Sequence, residues 1–235
     1  MMHFFLWNAL ALAALSKFSF SLPINNEPAH SQVTISNAFN TGAGNRDNAN
    51  IHDGIGNRGT DSYTCYYGGW ENFPPSSKWV EFEAMWNYSI SAMRSSCGDI
   101  GITTEDTEQQ IGDIYNAIQQ VAINSLVDHR FILATIMQES CGCVHITTST
   151  DQDGGANTGL MQSASGVHYD PSNSRESIMQ MVIDGTQGTQ SGNSLVQGIN
   201  MYGNIYEVRT FLFCLCPDQQ IPGERASEWL MRCTL

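Results

Sequence analysis

Basic residues are scarce in this chain: ten Lys and Arg stand against 23 Asp and Glu, a net charge of −13 over 235 residues. Nucleic acid needs a basic footprint to neutralise its phosphates, so it is excluded as a partner. Anionic polymers are repelled at long range, which raises the expectation of a neutral substrate or an acidic working pH. Long apolar runs are missing too. The most apolar stretch, residues 4–15, falls short of the about 20 residues a membrane-spanning helix needs, and no membrane partner is expected. No Gly-x-Ser-x-Gly context supports a nucleophilic serine. His129, His145 and His168 share no ligand spacing on one element, and Cys141 and Cys143 form a C-x-C with no matching pair for zinc. Neither a cofactor nor a metal is expected. Internal repeats are absent.

Residues 1–21 combine an apolar core with small residues at Ser19 and Ser21, the pattern of a cleaved signal peptide, so a secreted, extracellular product is expected. Residues 22–62 are rich in Asn and Gly and show no sustained period. They read as a disordered linker. A compact domain is expected over 63–235, with 210–235 as an atypical tail. Seven cysteines, at 65, 97, 141, 143, 214, 216 and 233, suit an oxidising compartment. Being odd in number, they leave at least one thiol free or paired with another chain. Cys65 with Cys97 is a reasonable pair, tying the domain entrance to the end of its first helix. Asn87-Tyr88-Ser89 is a glycosylation sequon if its helix face is exposed.

Helical spacing organises the body. Trp79, Phe82, Trp86, Ile90 and Met93 make one aromatic-rich face after the Pro74-Pro75-Ser76-Ser77 punctuation. A second helix begins near Thr103 or Thr104, with Ile111, Ile114, Ile118, Val121 and Ala122 as its stripe. Asp128 caps a third, about residues 129–140, which is apolar almost all round and therefore central. Residues 144–150 favour one short strand, and the Asp151-Gln-Asp-Gly-Gly stretch reads as a turn. A fourth helix, residues 174–183 with Gly185 as its C-cap, and a fifth from Leu195 complete the series. The expected fold class is mainly α: a helical bundle around a central buried helix, with a small β and loop element forming one side of a cleft.

Residues 132–162 carry the chemistry. The apolar third helix ends in Glu139, and a buried glutamate is rare unless paired or functional. An apolar wall raises its pKa, so it holds a proton near neutrality and suits a general acid. Asp151 and Asp153 follow 12 and 14 positions later across a loop. Either could stay ionised and position water or steady developing positive charge. Asn157 offers an amide on the same loop for sugar hydroxyls.

Glu139-Ser140, an Asp-bearing loop, and then Gly159-Leu160-Met161-Gln162 resemble, in this order, the goose-type lysozymes and soluble lytic transglycosylases of glycoside hydrolase family 23. The wider run over residues 65–206 resembles a secreted fungal group described as transglycosylase-like. The resemblance implies an α+β lysozyme-like fold and cleavage of a β-1,4-linked polysaccharide, peptidoglycan first. It implies Glu139 as acid, Asp151 or Asp153 as its partner, and Gln162, with Met161 and Ser140 beside it, at the sugar. A monomer acting on polysaccharide is the expectation. A lysozyme-fold β-1,4-mannanase or chitin-active hydrolase is the first alternative, and a non-catalytic secreted binding protein or effector the second. The family's later Ala-Tyr-Asn-Ala-Gly segment is absent, which favours the last reading.

Overall fold

The computed structural model describes residues 31–55, 72, 74–151, 154–190 and 193–205, and the backbone of 220, 221, 224 and 225. Among the described residues seven helices run in chain order: α1 Ser36–Thr41, α2 Phe82–Met93, α3 Ser96–Asp99, α4 Glu108–Ser125, α5 His129–Ser140, α6 Ser174–Gln187 and α7 Leu195–Tyr202. Between α5 and α6 lies a three-stranded antiparallel sheet, β1 Ser149–Thr150, β2 Ala156–Thr158 and β3 Ser163–Ala164, in that spatial order. Two further short strands, β4 Gln220–Ile221 and β5 Glu224–Arg225, pair with each other. The protein is mainly α with a small antiparallel sheet.

Helix boundaries follow local chemistry. Thr107 accepts from the Gln110 backbone N–H while the Gln110 side chain reaches back to the Thr107 N–H, a reciprocal cap that starts α4 four or five residues later than the sequence suggests. Asp128 caps α5 by accepting from Arg130 N at 2.9 Å. The first aromatic helix also starts late. Ser76–Lys78 form a single 3-10 turn, and the buried Trp79 precedes α2, its indole N–H donating to Pro74 O at 3.1 Å. The Thr103–Thr104 start and the Trp79-led helix are thus both displaced. α6 runs on through Gly185 and is closed at Gly188. Gly185 is a packing position rather than a cap: a Cβ there would meet Met161 Cβ at 2.4 Å.

Apolar stripes from α2, α4, α5 and α6 meet in one core containing Phe82, Ile114, Ile118, Ile132, Leu133, Ile136, Leu160 and Ile178. Ten of the 12 residues of α5 are buried. Asn87 is exposed on α2, whereas Ser89 of its sequon is buried, its hydroxyl donating to Met85 O at 2.9 Å.

Residues 31–55 overturn the linker expectation where they are described. Val33, Ala38 and Ala43 are buried, and Val33 N donates to Ser125 O at 2.8 Å while Asp128 N donates to Ala43 O at 3.1 Å. Asn48 fastens the junction of α4 and α5. Its Nδ2 donates to Ala122 O and Val127 O, both at 2.9 Å, and its Oδ1 accepts from His129 N at 3.1 Å. Asp53 lies 3.0 Å from His129 Nε2 and 3.2 Å from Arg130, which also grips Asp128 at 2.7 Å. Satisfied polar groups, more than apolar periodicity, hold this segment, so hydropathy does not register it.

Cys97 pairs with Cys143, not with Cys65, which lies outside the described residues. The bond spans 46 residues, and loop-closure entropy puts its contribution at about 4 kcal/mol. It ties α3 to the turn that follows α5. The signal-peptide residues, Asp153 and nearly all of the 210–235 tail also lie outside the described residues.

Candidate active site

Glu139 occupies the last turn of α5, where Cys141 closes the helix in a left-handed conformation, φ 52°. Ser140 then fixes the helix end to the next wall. Its buried Oγ donates to Ile136 O at 3.0 Å or Leu160 O at 2.9 Å and accepts from Gly142 N at 3.2 Å. Leu160 sits in the Gly-Leu-Met-Gln turn, which needs Gly159: φ is +72° there, and an added Cβ would lie 2.7 Å from Met181 Cγ. The Glu-Ser pair and the turn 20 residues on are therefore one structural unit, joined through the Ser140 hydroxyl.

Around this unit opens a cleft of about 430 Å³. Thr135 and Glu139, one helical turn apart, supply the α5 side. Ser149, Thr150, Asp151, Asn157, Ser163 and Ala164 come from the sheet and its loops, Met161 and Gln162 from the turn, Gly185 from α6, and Asn193, Ser194 and Leu195 from the start of α7. Of the residues expected at the site, Glu139, Asp151, Asn157, Met161 and Gln162 share this cleft. Ser140 does not. It is buried beneath the wall and positions the wall instead of facing a ligand, because all its hydrogen-bonding capacity is directed at backbone.

Burial pushes the Glu139 carboxyl up to about 7, and desolvation is the sole cause. Among the described residues no group hydrogen-bonds or ion-pairs with it, so nothing offsets the loss of water around its charged form. Asp151 is exposed and closes its own turn: its Oδ1 accepts from Gly155 N at 2.6 Å, and its N–H donates to Gly155 O at 2.9 Å. Gln162 is largely committed to the loop. Its Oε1 accepts from Ser149 Oγ at 2.7 Å, and its Nε2 donates to Gly159 O at 3.1 Å and Thr147 O at 3.4 Å. Asn157 is the amide with capacity to spare, half-buried and without a side-chain partner among the described residues.

Comparison with known proteins finds no match. No family model, no curated protein and no solved structure is similar to this chain. What the site can do therefore rests on its own chemistry.

Sequence reasoning passed over Thr135, Ser149, Ser163 and Ser194. Thr135 was within reach, since it lies at i−4 from Glu139 on the same helix face. Ser163 was not, because its interest is tertiary. Its Oγ is buried at the cleft wall and has no hydrogen-bond partner among the described residues. A second carboxyl lifted as far as that of Glu139, on Asp106, was also missed. Burial lifts it to about 7, and it accepts from Val144 N at 3.1 Å beside the disulfide, away from the cleft. A raised carboxyl alone thus does not make a site here; Glu139 differs in opening onto a cavity.

Among the described residues two groups of side chains have metal-like spacing. In the first, Cys97 and Cys143 with Asp106, both sulfurs are consumed in the disulfide. In the second, Asp53, Asp128 and His129, the Arg130 guanidinium already supplies the positive charge. Burial, the largest single effect, pushes the Asp53 carboxyl up, but the His129 hydrogen bond, the Arg130 and His129 charges and the Phe82 N–H together hold it below the usual carboxylate range. His129 itself is stacked 4.3 Å from the Phe82 ring and serves the core.

Proposed function

We propose that this protein cleaves glycosidic bonds in a β-1,4-linked polysaccharide, with Glu139 as the general acid. The observation that carries the reading is the Glu139 carboxyl, lifted to about 7 by burial, opening onto a cleft of hydroxyls and amides that also holds the Asp151 carboxylate. A neutral carboxylic acid at that position hands its proton to the glycosidic oxygen as the C–O bond breaks and positive charge builds on the sugar ring. Asp151 then either directs water to the opposite face of the ring, which calls for carboxyls roughly 6.5–9.5 Å apart, or stands by while Glu139 recovers its proton from the sugar's own 6-hydroxyl. Hydrolysis follows in the first case and an anhydro-sugar in the second. The lysozyme-like arrangement, with α5 as the central helix and secretion as the destination, belongs to this same proposal and is supported by the Glu-Ser to Gly-Leu-Met-Gln order.

A non-catalytic carbohydrate-binding protein is the second reading, favoured by the missing Ala-Tyr-Asn-Ala-Gly segment. Mass spectrometry of products from peptidoglycan, chitin and β-mannan separates the two. Reducing-end or anhydro products that vanish with Glu139→Gln support catalysis. Product formation undiminished in that variant removes Glu139 from the mechanism, and no product from any polymer leaves the binding reading.

A further inference from the structure

The substrate class is open to a finer reading, which rests on the glycan-cleaving proposal above. Among its described residues the cleft wall carries hydroxyls from Thr135, Ser149, Thr150, Ser163 and Ser194, amides from Asn157, Gln162 and Asn193, two carboxyl groups, and no Lys, Arg or His. Ser194 accepts from Gln197 N at 3.2 Å, which leaves its own hydroxyl hydrogen to donate, and the Asn157 amide has both a donor and an acceptor to offer. Such a wall matches sugar hydroxyls and acetamides, which need donors and acceptors together.

Among its described residues it offers a carboxylate no cation. The five Lys and Arg residues whose side chains are described are all placed elsewhere. Arg46 stacks 3.5 Å over Phe39, and Lys78 is on the exposed 3-10 turn. Arg94 pairs with Glu108 at 2.6 Å, Arg130 is buried against Asp128, and Arg175 is exposed at the start of α6. The net charge of −13 acts in the same direction at long range. We propose that the cleft takes an uncharged β-1,4-linked glycan and discriminates against one bearing carboxylates.

The test is a binding titration of the full-length protein carrying Glu139→Gln, which prevents turnover. The ligands are chitotetraose, mannotetraose, and the alternating N-acetylglucosamine–N-acetylmuramic acid tetrasaccharide with free lactyl carboxylates. At low salt at least one uncharged ligand should bind about tenfold tighter than the anionic one or better, the size of a single unfavourable charge contact near a protein surface. Added salt should strengthen binding of the anionic ligand and leave the uncharged ones unchanged. Thr150→Lys, which adds a cation at the exposed rim, should improve the anionic ligand relative to the uncharged ones and so narrow the gap between them. Equal or tighter anionic binding overturns the inference and leaves the glycan reading standing. No binding of any of the three overturns both.

Discussion

Glu139 couples stability to acidity. Burial raises its carboxyl from 4.5 to about 7, so the folded protein keeps a proton that the unfolded chain releases above about pH 4.5. The corresponding stability is fully present below that pH and is lost as pH rises through about 7. Glu139→Gln removes the ionisable group. Its melting temperature should exceed that of the wild type at pH 8 and converge with it near pH 4, and a constant difference across that range would contradict the buried-acid assignment. Turnover should fall at least about 10²-fold in the same variant. Wild-type rate should decline as pH rises past about 7, because the acid form disappears. Ser163 makes a second, independent prediction. A buried hydroxyl without a partner costs about 1–3 kcal/mol of desolvation, so Ser163→Ala should leave the melting temperature equal or higher. A clear drop would mean that the hydroxyl is satisfied after all.

The end of α5 and the Gly-Leu-Met-Gln turn behave as one element. Ser140→Ala deletes the donor shared by Ile136 O and Leu160 O, leaving a buried carbonyl short of a partner at a cost of about 1–3 kcal/mol. Because the turn carries Met161 and Gln162 into the cleft, turnover should fall along with stability, and chemical denaturation paired with a rate assay checks both. A stable but inactive variant would instead point to direct contact of Ser140 with substrate. The extent of α5 was legible from Asp128 and the apolar run alone, since capping and burial are local and periodic signals. The three-stranded sheet was not. Its strands are two or three residues long, too short for a period of two to register, and only β1 fell inside the expected strand. Gly185 misled for a related reason: its small size serves a contact with Met161, which is 24 positions away.

Over the whole molecule, the least expected feature is the polar knot joining residues 31–55 to the start of α5. Arg130 is buried between Asp128 and Asp53. Arg130→Met leaves the buried Asp128 and half-buried Asp53 carboxylates without their cation and should cost about 3–5 kcal/mol, read from urea unfolding at pH 7. Arg94→Met, which breaks an ion pair open to solvent, should change little. Similar losses in the two variants would show that burial does not set the difference.

Amino-acid order alone established the helices with strong stripes, the cap at Asp128, the acidic balance and the placing of Glu139 after an apolar run. Each depends on neighbours within a turn or two, or on a simple count. Tertiary packing decided that Cys97 meets Cys143, that Ser140 faces a carbonyl rather than a ligand, that Gln162 spends its amide on its own loop while Asn157 does not, and that an Asn- and Gly-rich segment is part of the body. These outcomes turn on partners 13 to 81 positions away, and a polar side chain carries no mark of whether its partner is protein, water or sugar.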